Sequence, residues 1–161
     1  MTEKTFTFAS GAGSQISGHL EPPEGTPRGW AIFAHCFTCG KDSRAAVYIS
    51  RALSRAGIGV LRFDFAGTGI DGGSGESLSF ASDIDDLRAA AKAMAAAGMA
   101  PSLLVGHSLG GIAVIVAAEE LPDVAAVVTI GAPADLQHIL RFFTPRDLDT
   151  ISTADEASVE I

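Results

Sequence analysis

The sequence predicts an α/β domain, a doubly wound and mostly parallel sheet entered through an antiparallel hairpin. Three observations predict it. Short apolar runs of strand length alternate with segments of helical periodicity along most of the 161 residues. The runs lying between helices are continuously apolar, as strands covered on both faces should be. Finally, Gly106-His107-Ser108-Leu109-Gly110 stands between one such run, Leu103-Leu104-Val105, and an apolar stretch over residues 111–118.

Taken in order, residues 5–8 and 15–20 read as the leading antiparallel pair, joined by a turn at Gly11-Ala12-Gly13. Residues 30–35 form a third strand, ended by Cys36-Phe37-Thr38-Cys39-Gly40. A helix follows from a cap at Asp42 or Ser43 to Gly57, with Val47, Ile49 and Leu53 among its apolar positions. Residues 58–63 are the fourth strand, leading into a glycine-rich loop at 67–75. The second helix begins near Ser79 or Ser82 and stops at Gly98. Its early acids Asp83, Asp85 and Asp86 suit the positive end of the helix dipole and read as a solvated cap. Residues 102–105, 109–120 and 124–130 complete the pattern as strand, helix and strand. No internal repeat or low-complexity linker interrupts it.

With 47% hydrophobic residues and a mean hydropathy of +0.30, the chain has ample material for a large core. Its length fits one domain or part of one. No apolar run reaches membrane-spanning length, and Met1-Thr2-Glu3-Lys4 lacks signal-peptide character. The net charge of −8 argues against nucleic acid as a partner. Half of it lies in residues 144–161, where Asp147, Asp149, Asp155, Glu156 and Glu160 face Arg146 alone. The acidity therefore describes a tail. Cys36 and Cys39 are too few for a disulfide framework, so reduced thiols and a cytoplasmic setting are expected.

The chemistry concentrates at the pentapeptide. Strand, sharp turn and helix is the setting that makes G-x-S-x-G a nucleophile elbow. Gly106 and Gly110 leave room where strand and helix nearly touch, and Ser108 stands at the helix N-terminus, which favours developing negative charge. A glycine-rich packing contact would explain the glycines and leave the serine unexplained. Acyl transfer also needs an oxyanion hole. The backbone N–H of Leu109 and one from the loop after the third strand, assigned to Phe37, would supply it.

The order of elements, the His-led loop after the third strand, Asp64-Phe65-Ala66-Gly67-Thr68-Gly69 and the elbow together resemble the α/β-hydrolase superfamily. The wording His35-Cys36-Phe37-Thr38-Cys39-Gly40-Lys41-Asp42 resembles a narrower group, hydrolase domains fused to a C-terminal OsmC-like peroxidase domain. The resemblance runs from Thr5 to about Asp135. It implies an α/β-hydrolase fold, Ser108 as nucleophile, a small-molecule acyl substrate, no cofactor or metal, and a fused or partner OsmC-like domain; a homo-oligomer is also open. One departure is Cys36, where most members carry glycine.

The base is harder to find. His107 neighbours Ser108 on a strand and points to the opposite face. His19 lies on the leading hairpin, and His35 is better placed to brace the oxyanion loop. Ser108, Asp135 and His138 follow the chain order of the fold. However, an acid and a histidine three residues apart on one helical turn project nearly in parallel, and Asp135 reads more simply as an N-cap. Family members continue through a lid and two further strands that carry the acid and the histidine. Residues 157–161 begin an alternating pattern where the sequence stops. The expectation is therefore that residues 1–161 are the N-terminal part of one hydrolase domain, with 144–161 opening the lid, and are inactive alone.

Three other chemistries compete. Cys36-Phe37-Thr38-Cys39 is a C-x-x-C between strand and helix, the setting of a redox dithiol, although the rest of a thioredoxin arrangement is absent. A zinc site from His35, Cys36 and Cys39 lacks a fourth ligand. Gly67-Thr68-Gly69-Ile70-Asp71-Gly72 matches G-x-G-x-x-G, but Gly72-Gly73-Ser74-Gly75 would break the helix that a dinucleotide fingerprint requires.

Overall fold

The computed structural model describes residues 3–36, 39–66, 79–134 and 145. Among the described residues six strands form one sheet: β1 (Lys4–Ala9), β2 (Gln15–Glu21), β3 (Gly29–Ala34), β4 (Ile58–Phe63), β5 (Leu103–His107) and β6 (Ala126–Ile130). Their order is β1-β2-β4-β3-β5-β6. β1 pairs antiparallel with β2, and β2 with β4, while β4, β3, β5 and β6 run parallel. This is the α/β-hydrolase architecture that the sequence predicts.

The faces are covered, among the described residues, by α1 (Arg44–Arg55), α2 (Phe80–Ala96) and α3 (Leu109–Ala118). Alternation along each parallel strand sorts the core. Ala31, Phe33, Val60 and Val105 pack with Ala46 of α1 on one side. Ile32, Leu61, Phe63 and Leu104 meet Leu87, Met94, Val114 and Ala117 of α2 and α3 on the other. Ser43 caps α1 by accepting from the Ala46 N–H, and Ser79 and Ser82 cap α2 reciprocally. Both helices stop where expected, followed by Gly57 at φ +84° and Gly98 at φ +74°.

Most strand limits shift by one or two residues, and two boundary shifts have a clear local cause. The third helix ends at Ala118, because Glu119 and Glu120 donate to carbonyls only three residues back and Pro122 follows. The last strand starts at Ala126, after Val124 N–H closes a turn on Leu121 and Ala125 N–H reaches the Ser102 carbonyl. The proposed strand at 157–161 and nearly all of the acidic tail lie outside the described residues.

The acids of α2 are the larger departure. Helical spacing puts Asp83, Asp86, Leu87 and Ala90 on one inward stripe. Asp86 is 2% exposed and accepts from the Gly11 N–H at 3.0 Å and the Ala66 N–H at 2.8 Å. It ties the β1–β2 turn and the end of β4 to the helix. Only Asp85 behaves as a surface acid, pairing with Arg88 at 2.9 Å. Burial, and then the charge of Asp86, push the Asp83 carboxyl up to about 7.

Asp86→Ala would strand two backbone donors and should lower unfolding free energy by about 2–3 kcal/mol in urea titrations. Asp83 has its own signature. A carboxyl whose folded pKa is raised contributes stability that is full below the unfolded value near 4 and lost as pH rises toward 7. Asp83→Asn should therefore flatten the stability profile across that window, gaining on the parent protein at pH 8 relative to pH 4.

Candidate active site

Because β4, β3 and β5 are parallel neighbours, their carboxyl ends open on one edge of the sheet, where ligands of such folds bind. β3 lies in the middle, so its following loop is flanked by the loops of β4 and β5.

Ser108 sits at the turn from β5 into α3 with φ 54° and ψ −121°, the one non-glycine residue with positive φ among those described. A serine in this region is strained by about 1–3 kcal/mol, and surrounding structure has to hold it there. That structure is backbone packing. A Cβ added at Gly106 would fall 2.6 Å from the Gly110 carbonyl carbon and from Gly111 Cα. One added at Gly110 would fall 2.5 Å from the carbonyl oxygens of Ala34 and His35. Ser108 N–H donates to the Ile130 carbonyl at 2.9 Å, and its own carbonyl accepts from Gly111 N–H at 2.9 Å. The side chain caps nothing and is half-buried, and Leu109 N–H occupies the first helical position, where no intrahelical acceptor exists.

On the β4 side, the loop after β3 is fixed by charge. His35 is 2% exposed, and its Nδ1–H donates to the Cys36 carbonyl at 2.8 Å while Nε2 faces Asp64 Oδ1 at 3.5 Å. Burial holds the ring below the ordinary imidazole pKa, against the Cys36 carbonyl and the Asp64 charge. Asp64 accepts the Lys41 backbone N–H at 2.6 Å and the Lys41 ammonium at 2.5 Å. Burial raises its pKa, but these two bonds and the lysine charge outweigh it, so the carboxyl stays below the usual range. Sequence reasoning missed this Lys41–Asp64 clamp. Its signal was an acid directly after a strand parallel to the one feeding the loop.

On the β5 side, the structure corrects the expectation of two reduced thiols. Cys39 N–H bonds to the Cys36 carbonyl at 3.0 Å, the Cα atoms lie 5.1 Å apart, and the side chains form a disulfide. The sulfurs gather with a ring nitrogen of His107, all within 4.8 Å of one another. His35, weighed from the sequence as their metal-ligating companion, is instead turned to Cys36 O and Asp64.

His19 lies across the sheet on β2, 3.1 Å from both Glu3 and Asp42 and beside the buried Arg62, which completes an ion-pair cluster there. Phe37, Asp135, His138 and the glycine-rich loop at 67–75 lie outside the described residues. No described helix is long and apolar enough to cross a membrane.

Residues 25–151 match the family described as serine aminopeptidase, S33. The esterase domain of a Rhodothermus marinus protein superposes with a TM-score of 0.71 and 45% identity, over 87% of this chain and 54% of that one. An α/β serine hydrolase without lid from Xanthomonas campestris gives 0.74 at 24% identity, over 84% and 64%. A dienelactone hydrolase from Anabaena variabilis gives 0.68 at 24% identity, over 81% and 63%. The chain thus spans between about half and two thirds of these structures. No curated protein matches it significantly.

The elbow geometry makes one test direct. Gly106→Ala forces β5 and α3 apart at backbone level, so it should cost about 2–3 kcal/mol of unfolding free energy, measured by urea denaturation. Gly13→Ala meets open space and should lose less, since it strains only its own φ of +96°.

Proposed function

The chain belongs to the serine aminopeptidase S33 family of α/β-hydrolases, and from that premise we propose that it carries the nucleophile half of a serine hydrolase acting on carboxylic esters or related acyl compounds. The observation that carries this reading is the strained, half-buried Ser108 at the strand-to-helix turn. The 45% identity to an esterase domain supports the ester class.

In this mechanism Ser108 Oγ attacks the acyl carbonyl, forming an acyl-enzyme that water then hydrolyses. The N–H groups of Leu109 and Phe37 receive the developing oxyanion, with the positive end of α3 behind them. The Lys41–Asp64 clamp and the His35–Cys36 bond act by positioning the loop that presents the second donor. None of the three described histidines serves as base: His19 is across the sheet, His35 is bonded to Cys36, and His107 turns toward the cysteines. We therefore assign the triad acid and histidine to sequence following residue 161 in the whole protein. Asp135 with His138 is the second assignment, weaker because a three-residue helical spacing would set two such side chains nearly in parallel. The same reading places the protein in the cytoplasm and includes an OsmC-like domain as fused partner.

A fluorophosphonate probe should label the whole protein at Ser108. Ser108→Ala should abolish labelling and lower ester turnover by about 10³-fold or more. Equal labelling of the two proteins would sink the assignment. His138→Ala separates the two triads: it silences turnover only if His138 is the base.

A further inference from the structure

Cys36 and Cys39 from the loop after β3 converge with His107 at the end of β5, and the hydrolase chemistry uses none of their side chains. Their ligand atoms lie within 4.8 Å of one another. Cys36 is buried and the other two are half-buried, so the cluster is shielded yet reachable. The spacing is C-x-x-C, one of the cysteine pairings of zinc ligands, and the third donor comes from the residue preceding Ser108. The backbone under the trio is fixed before any ligand arrives. His35 holds the Cys36 carbonyl, the Cys39 N–H closes the turn, and Asp64 clamps Lys41 two residues further on. Among the described residues no hydrogen bond engages the His107 ring, which leaves a nitrogen lone pair to donate.

We propose that the reduced Cys36–Cys39 pair and His107 form a binding site for a zinc-type soft divalent cation beside the nucleophile elbow, and that the disulfide is the closed state of that site. Two thiolates and one imidazole suit zinc in charge and softness. Sulfur at about 2.3 Å and nitrogen at about 2.0–2.1 Å from one ion put the donor atoms roughly 3.5–4 Å apart, a spread the trio reaches once the sulfur–sulfur bond opens. Three protein ligands leave a fourth position open to solvent.

The chemistry balances simply. A dithiol or phosphine reductant supplies two electrons, and with two protons the disulfide becomes two thiols. Binding then releases those two protons, since the cation takes thiolates and a neutral imidazole. Affinity accordingly rises with pH and vanishes on oxidation. A cation held here ties the loop carrying Phe37 to the residue before Ser108, so redox state and metal supply both bear on the hydrolytic site.

The test uses the whole protein, reduced with a phosphine and freed of excess reductant. Cobalt(II) should bind with one-to-one stoichiometry, giving a thiolate-to-metal charge-transfer band in the near ultraviolet, and zinc should displace it. X-ray absorption of the zinc form should show two sulfurs and at least one imidazole nitrogen. The oxidised chain should bind neither ion. Cys39→Ser and His107→Gln should each weaken zinc by at least about tenfold. Absence of the thiolate band in the reduced chain, or a metal shell without imidazole, would overturn the proposal. These readouts are spectroscopic, so they succeed or fail independently of whether Ser108 hydrolyses esters. Circular dichroism of each variant separates a lost ligand from a lost fold.

Discussion

The structure depends on one close approach of backbone to backbone, where β5 turns into α3 against the end of β3. Gly106 meets Gly110 and Gly111, and Gly110 in turn meets the carbonyls of Ala34 and His35. No side chain fits between them. This contact sets the tilt of α3 on the sheet and forces Ser108 to φ 54°. It also brings the loop after β3 within reach of the residue after the serine. Stability and chemistry are here the same constraint, since the strain at Ser108 persists only while the glycines keep the two elements together.

Around that contact, polar groups do what apolar packing cannot. The carboxyl edge of a parallel sheet is a row of loops, and loops bring backbone donors that have to be satisfied. Asp86 satisfies two of them from inside α2, and Asp64 satisfies Lys41 from the end of β4. Asp86 is tolerable inside the protein because it accepts two backbone donors, and half-buried Asp64 because it is paired with the Lys41 ammonium. Among the described residues Asp83 has no such partner, and burial together with the Asp86 charge pushes its pKa up to about 7.

The loop after β3 takes different partners on its two sides. Toward β4 it is held by charge and hydrogen bonds, and toward β5 it offers sulfur. A glycine in place of Cys36 would serve the same backbone role without the thiol. The cysteine pair beside His107 therefore adds something that acyl transfer does not ask for, a cluster of soft donors one residue from the nucleophile.

The sequence by itself determined the architecture, because alternation between apolar strand runs and helical periodicity leaves few arrangements that bury both. The strand at 58–63 fell at its exact limits, and Ser43, Ser79, Gly57 and Gly98 marked the helix ends, since caps and left-handed glycines are local chemistry. The elbow was equally plain, its glycines and serine being contiguous. The tertiary structure alone decided which distant groups meet. Asp86 read as a solvated cap until Gly11 and Ala66 were seen to converge on it. His35 braces its loop as the sequence suggests, but the sequence offers it, and not His107, as a third donor to the cysteines; strand order places β5, and so His107, beside them. Strand order is a global property: β3 lies between β4 and β5 only because the whole sheet assembles that way, and no short stretch of sequence encodes its neighbours.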